Sequence, residues 1–155
     1  MRLYEPEGFT QRPEVLDILE NRIPAQQYGC PNTSDLRHFV GLTVAQAKEL
    51  LTLLPPAQAD DQQNYSPSFK EFVELGEQYP EMTFHGYVVG PERSDERITI
   101  EGFYLPLWTS DRVPIDLVRL GADEFDVIAP DSGYWERVGL ETYPAYGNVL
   151  RAWWD

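Results

Sequence analysis

Met82-Thr83-Phe84-His85-Gly86-Tyr87-Val88-Val89, followed by Gly90-Pro91-Glu92-Arg93-Ser94-Asp95-Glu96 and then Arg97-Ile98-Thr99-Ile100-Glu101-Gly102-Phe103-Tyr104-Leu105, is the stretch that decides the fold. Met82, Phe84, Gly86 and Val88 alternate with Thr83, His85, Tyr87 and Val89, a period of two that belongs to a strand. The second run has Ile98 and Ile100 on one face and Thr99, Glu101, Phe103 and Leu105 on the other. Two such runs around a Gly-Pro turn predict an antiparallel hairpin over 82–105, and apolar residues on both faces of its second strand place it at the centre of a sheet.

Before the hairpin the period changes from two to 3.6. Phe69, Phe72, Val73, Leu75, Gly76 and Tyr79 fall on one arc of a helix over 67–78, and Glu71, Glu74, Glu77 and Glu81 fall on the opposite arc. Thr43 reads as the N-cap of a second helix over 44–54, carried by Val44, Ala47, Leu50, Leu51 and Leu54 and stopped by Pro55-Pro56. Between them, 56–65 reads as an exposed polar loop. A first short helix is expected near 13–22, and Pro24 to Gly41 reads as a long loop or a single helical turn.

After the hairpin, Val113, Ile115, Leu117, Val118 and Leu120 predict a helix over 112–120, capped by Ser110-Asp111 and closed by a left-handed Gly121. Glu124 to Ala129 reads as a strand, with weaker strand signals at Tyr134 to Val138 and Val149 to Trp154. Helices first and strands later indicate an α+β fold: N-terminal helices on a mainly antiparallel sheet built around the hairpin. The 155 residues are expected to form one domain, with residues 1–41 as a loosely packed N-terminal extension.

Composition narrows the function classes. There are 26 acidic against 12 basic residues, a net charge of −14 that repels phosphate backbones and anionic lipid and favours basic partners. Direct nucleic-acid binding and membrane association are therefore not expected. The content is 42% hydrophobic and 13% aromatic, too rich in core formers for a disordered chain. A single cysteine, Cys30, precludes an intrachain disulfide, and with no signal-like apolar start the expected setting is the cytoplasm. The charge is uneven: residues 49–81 hold seven acidic residues and one basic one, Lys70.

Candidate chemistry is sparse. With Val89 opposite Arg97, an unbroken register would put His85 directly across from Glu101 as a carboxylate-oriented imidazole, an acid–base pair with Tyr87 or Tyr104 nearby to position a ligand. The plain alternative is a structural cross-strand pair. Cys30, Asp35 and His38 contain the types of a thiol nucleophile, an acid and a base, but types without geometry are weak evidence. Asp123, Glu124, Asp126, Asp131 and Glu136 have no calcium-loop spacing, and a strand would divide the first three between two faces, so no metal and no cofactor are expected.

These residues point first to a non-enzymatic interaction protein that binds a basic protein through Glu71, Glu74 and Glu77 and through the aromatic C-terminus, Trp153 and Trp154. The same two tryptophans suit a homodimer contact. Three other functions fit the same sequence: an enzyme built on His85 and Glu101, a DNA mimic that blocks a nucleic-acid enzyme, and a sugar or small-ligand module using exposed aromatics.

Overall fold

The computed structural model describes residues 1–24, 32–33, 35–110, 112–138 and 147–155. Cys30 and the Asp111 cap lie outside the described residues. The order of elements is α1 (Pro13–Leu19), β1 (Leu36–Thr43), α2 (Val44–Leu53), α3 (Pro56–Asp60), α4 (Phe69–Gln78), β2 (Thr83–Val89), β3 (Arg97–Trp108), α5 (Ile115–Val118), β4 (Glu124–Ile128), α6 (Tyr134–Arg137) and β5 (Asn148–Trp153). The strands form one antiparallel sheet in the order β1-β2-β3-β5-β4, with the predicted hairpin at its centre. The class is α+β.

Local chemistry accounts for the two main helices. Thr43 and Ser68 each accept from the backbone N–H three residues on, while the Gln46 and Glu71 side chains accept from the cap residues' own N–H groups. These are two complete capping boxes, which satisfy donors the helix itself cannot. α4 then turns Phe69, Phe72, Val73 and Gly76 inward. Phe72 meets the rings of Phe84 and Trp154 edge to face at 5.9 and 5.5 Å. Gly76 sits so close to Val44 that a Cβ there would lie 2.7 Å from Val44 Cγ2, so glycine sets the approach of α4 to α2.

Several expectations are corrected. β1 replaces the loop expected within Pro24 to Gly41. Its alternation is hidden in sequence because one extra residue is accommodated between Phe39 and Leu42, where Gly41 has φ +71°. Pro56–Asp60 is a short helix within the expected loop, held where the buried Gln58 amide both donates to and accepts from the Ile98 backbone. Tyr134–Arg137 is helical rather than extended, entered through a left-handed Gly133 and seating Trp135 against Tyr104 at 5.3 Å. α5 is shorter than predicted and starts at Ile115, after Pro114.

The residues before β1, expected to form a loosely packed extension, contribute Tyr4, Phe9, Val15, Ile18 and Leu19 to the main core. Glu96, fully buried in the β2–β3 turn, fastens them. Its carboxylate accepts from Gly8 N–H (2.8 Å), Thr10 N–H (3.1 Å), Thr10 Oγ1 (2.7 Å) and the Arg2 guanidinium (3.2 Å). A buried carboxylate is stable only when it is multiply bonded in this way.

The sheet has two unlike faces. Phe39, Phe84, Ile98, Ile100, Phe103 and Ala152 enter the main core beneath the helices. The other face carries His38, His85, Tyr87, Tyr104 and Arg151 and has a smaller core of Tyr104, Ile128, Trp135 and Val149.

Candidate interaction surface

The outer face of α4 presents Glu71, Glu74 and Glu77 to solvent. Their local commitments differ. Glu71 is half of the Ser68 capping box, accepting from Ser68 N–H at 3.1 Å. Glu77 pairs with Lys48 of α2 at 3.2 Å, but both side chains are more than half exposed, so the pair contributes little to stability. Glu74 makes no ion pair among the described residues.

Two exposed aromatic residues lie near the ends of α4, one before it in the chain and one bonded to Glu81 after it. Tyr65, three residues before the helix cap, is 98% exposed and follows Asn64 in the left-handed region, at φ +60° and +53°. At the other end, the indole of Trp108 donates to Glu81 Oε2 at 3.0 Å while the residue remains 49% exposed. Trp108 also has φ +57°, a conformation that costs a non-glycine residue roughly 1–2 kcal/mol. Close packing of its carbonyl on Gly147, where no Cβ fits, helps to hold it there. Nearby, the Tyr79 hydroxyl donates to both oxygens of Asp116 on α5, at 2.8 and 2.9 Å, and burial followed by that bond pushes its phenol up to about 12. α5 in turn leaves Ile115 and Val118 exposed.

The C-terminal tryptophans are not part of this face. Trp154 is 2% exposed, packed on Phe72 and Phe103 in the main core, so it offers no surface to a partner. Trp153 alternates to the opposite face of the sheet, half-buried, across from Gly102 and Glu124. Adjacent strand residues diverge in this way: the main core takes Trp154, and Trp153 lies on the face where α6 packs Trp135 on Tyr104.

The His85–Glu101 pair does not form as the unbroken register required. Val89 does stand opposite Arg97, but one extra residue enters β3, so that Ile100 pairs with Gly86 and Gly102 with His85, leaving Glu101 as the bulge. His85 instead lies against the Tyr104 ring, 4.8 Å between centroids, with Nδ1 buried and without a hydrogen-bond partner. Burial, reinforced by the nearby Arg151 guanidinium, lowers it to about 3, a neutral imidazole at ordinary pH. Glu101 is raised to about 7 by burial, against the opposing effect of a hydrogen bond from the Trp153 side chain, with the Asp155 carboxylate raising it further.

Elsewhere on that face, Arg151 joins Glu124 and Asp126, and its guanidinium stacks over Tyr134 at 5.5 Å. The Tyr104 and Tyr134 hydroxyls are 2.7 Å apart. Asp123 accepts from the Asp155 N–H. No group of three or more His, Cys, Asp or Glu suited to a metal occurs among the described residues, and none of their helices is long and apolar enough to cross a membrane.

Tyr65 and Trp108 are the surface residues that sequence reading missed. Trp108 ends an alternating run just after Pro106 and before Thr109-Ser110, a position where strand packing stops and an aromatic side chain has no core left to enter. No protein-family model, curated protein or solved structure matches the chain.

Proposed function

We propose that the protein is a non-enzymatic interaction protein that docks a basic protein partner on the outer face of α4. The observation that carries this reading is the exposed Glu74 and Glu77 on α4 and the exposed Glu81 just beyond it, with two exposed aromatic residues, Tyr65 before the helix and Trp108 bonded to Glu81. Aromatic anchors beside a charged rim are the usual makeup of a protein interface, in which the anchors supply affinity and the charges steer encounter. With residues 49–81 so poor in cations, a partner bearing Lys or Arg relieves repulsion along the helix as it binds. The mechanism is docking and occlusion.

The test is recovery of partners from the native host by the immobilised full chain, compared with Glu74→Gln/Glu77→Gln/Glu81→Gln and with Trp108→Ala. A basic protein retained by the wild type at low salt, released at high salt and lost by both variants supports the reading. Recovery unchanged by both variants sinks it. Glu71 is left intact because its side chain caps α4.

A further inference from the structure

A groove between α1 and β1 holds about 310 Å³ and is lined by Gln11, Leu16, Leu19, Glu20, Ile23 and Arg37. Its apolar wall is built by Leu16 and Leu19, three residues apart on α1, and by Ile23, which follows the 3-10 turn Glu20–Arg22 that carries Glu20. Leu19 is fully buried, while Leu16 and Ile23 keep part of their surface open to the groove. Arg37 comes from the opposite wall. It lies two residues from Phe39, which is fully buried in the main core, so Arg37 also takes the helix-covered face of β1.

The charges in this groove are uncompensated. Among the described residues neither the Arg37 guanidinium nor the Glu20 carboxylate makes an ion pair or hydrogen bond, and they are too far apart to pair with each other. Arg2, Arg12, Arg93, Arg97 and Arg151 form ion pairs, whereas Arg37, like Arg112, Arg119 and Arg137, forms none among the described residues, and of these four Arg37 is the one that lines the groove. Arg37 as a residue is half-buried, so a carboxylate that enters the groove meets an unpaired guanidinium.

We propose that the groove binds a free α-amino acid with an aliphatic side chain, such as leucine, with its carboxylate on Arg37, its ammonium on Glu20 and its side chain on Leu16 and Ile23, which the buried Leu19 backs. Guanidinium and carboxylate form the stronger of the two contacts because the guanidinium can donate two parallel hydrogen bonds. A simple carboxylate would leave Glu20 facing an apolar ligand, and a simple amine would leave Arg37 unmatched; a zwitterion satisfies both. The volume lies at the small end of the range for small-molecule sites, roughly 300–1,000 Å³, which suits a ligand of this size. The inference is independent of the α4 surface.

Calorimetric titration of the full chain with L-leucine tests it, with isocaproate (the same side chain and carboxylate, no ammonium) and isoamylamine (no carboxylate) as comparison probes. The expected result is saturable single-site binding of leucine with Kd of about 1 mM or tighter. Each one-charge probe is expected to bind at least about tenfold more weakly, as are leucine complexes of Arg37→Gln and Glu20→Gln. Both variants should keep the wild-type thermal midpoint; Glu20 is exposed in the turn after α1, so its variant serves even if Arg37→Gln folds poorly. Absence of saturable leucine binding overturns the proposal. So does isocaproate or isoamylamine binding as tightly as leucine, or unchanged leucine affinity in Glu20→Gln.

Discussion

Gly102 stands opposite His85 in the central hairpin, and the imidazole occupies the space that any Cβ at Gly102 would need. The bulge at Glu101 creates this relationship: it moves a carboxylate out of the ladder and brings a residue without a side chain to the histidine. A Cβ at Gly102 would also run into the Ala152 carbonyl of β5, which as backbone cannot swing aside. Gly102→Ala is therefore expected to destabilise the fold by about 3 kcal/mol, read from the midpoint of urea unfolding. A loss below about 1 kcal/mol would mean that the hairpin and β5 can separate at little cost.

His85 should not titrate in the native protein over the ordinary range. Its folded value of about 3 lies below the usual 6.5, so between those values the unfolded chain holds a proton that the native state does not. Its contribution is therefore fully present above pH 6.5 and is lost as the pH falls toward 3. In NMR, the His85 ring resonances are expected to stay fixed from pH 8 down to about pH 5 while the protein remains folded. A midpoint near 6.5 would show that the ring is hydrated.

Glu101 should act in the other direction. Its folded value of about 7 lies above the usual 4.5, so the native state retains a proton that the unfolded chain releases in between. The stabilising effect is present below pH 4.5 and is lost as the pH rises through 7. Glu101→Gln is expected to be more stable than wild type at pH 8, by up to about 3 kcal/mol, with the difference closing toward pH 4.5. Paired denaturation curves across that window check the sign.

Glu96 holds the N-terminal segment through four hydrogen bonds in a site closed to water. Glu96→Ala leaves the Gly8 and Thr10 N–H groups and the Thr10 hydroxyl without the acceptor they use, while Arg2 keeps the Pro91 and Arg93 carbonyls, at an expected cost of about 3 kcal/mol. Limited proteolysis should then cut first within residues 1–12. A wild-type digestion pattern with unchanged stability would show that the burial of Phe9 and Tyr4 suffices to hold the segment.

Removing the Ser68 cap separates helix stability from surface charge. Ser68→Ala is expected to lower stability by about 1 kcal/mol, since it orphans the Glu71 N–H, while leaving Glu74, Glu77 and Glu81 exposed. If α4 is the docking face, partner affinity in this variant should fall only as far as folding does.

Much of the architecture follows from local pattern. The alternation across 82–105, the caps at Thr43 and Ser68 and the apolar arc from Phe69 to Tyr79 are short-range properties, and backbone geometry converts each directly into an element. The elements that sequence reading misassigned are those whose form depends on a neighbour. β1 exists because it pairs with β2, and its bulge hides the alternation. α6 exists because Trp135 reaches Tyr104, thirty-one residues away in the chain.

The candidate sites divide in the same way. That Glu71, Glu74 and Glu77 share an exposed helix face was set by the sequence alone, because 3.6 residues per turn leave no other arrangement. What faces what was decided only in the tertiary structure. One inserted residue in β3 parted His85 from Glu101, strand alternation sent Trp154 into the core and Trp153 to the other face, and the packing of the turn after α1 on β1 left Arg37 in one groove with Leu16 and Ile23. A strand's side-chain period is two, so a single extra residue reverses every later pairing, and no local pattern in the chain announces where that residue will be accommodated.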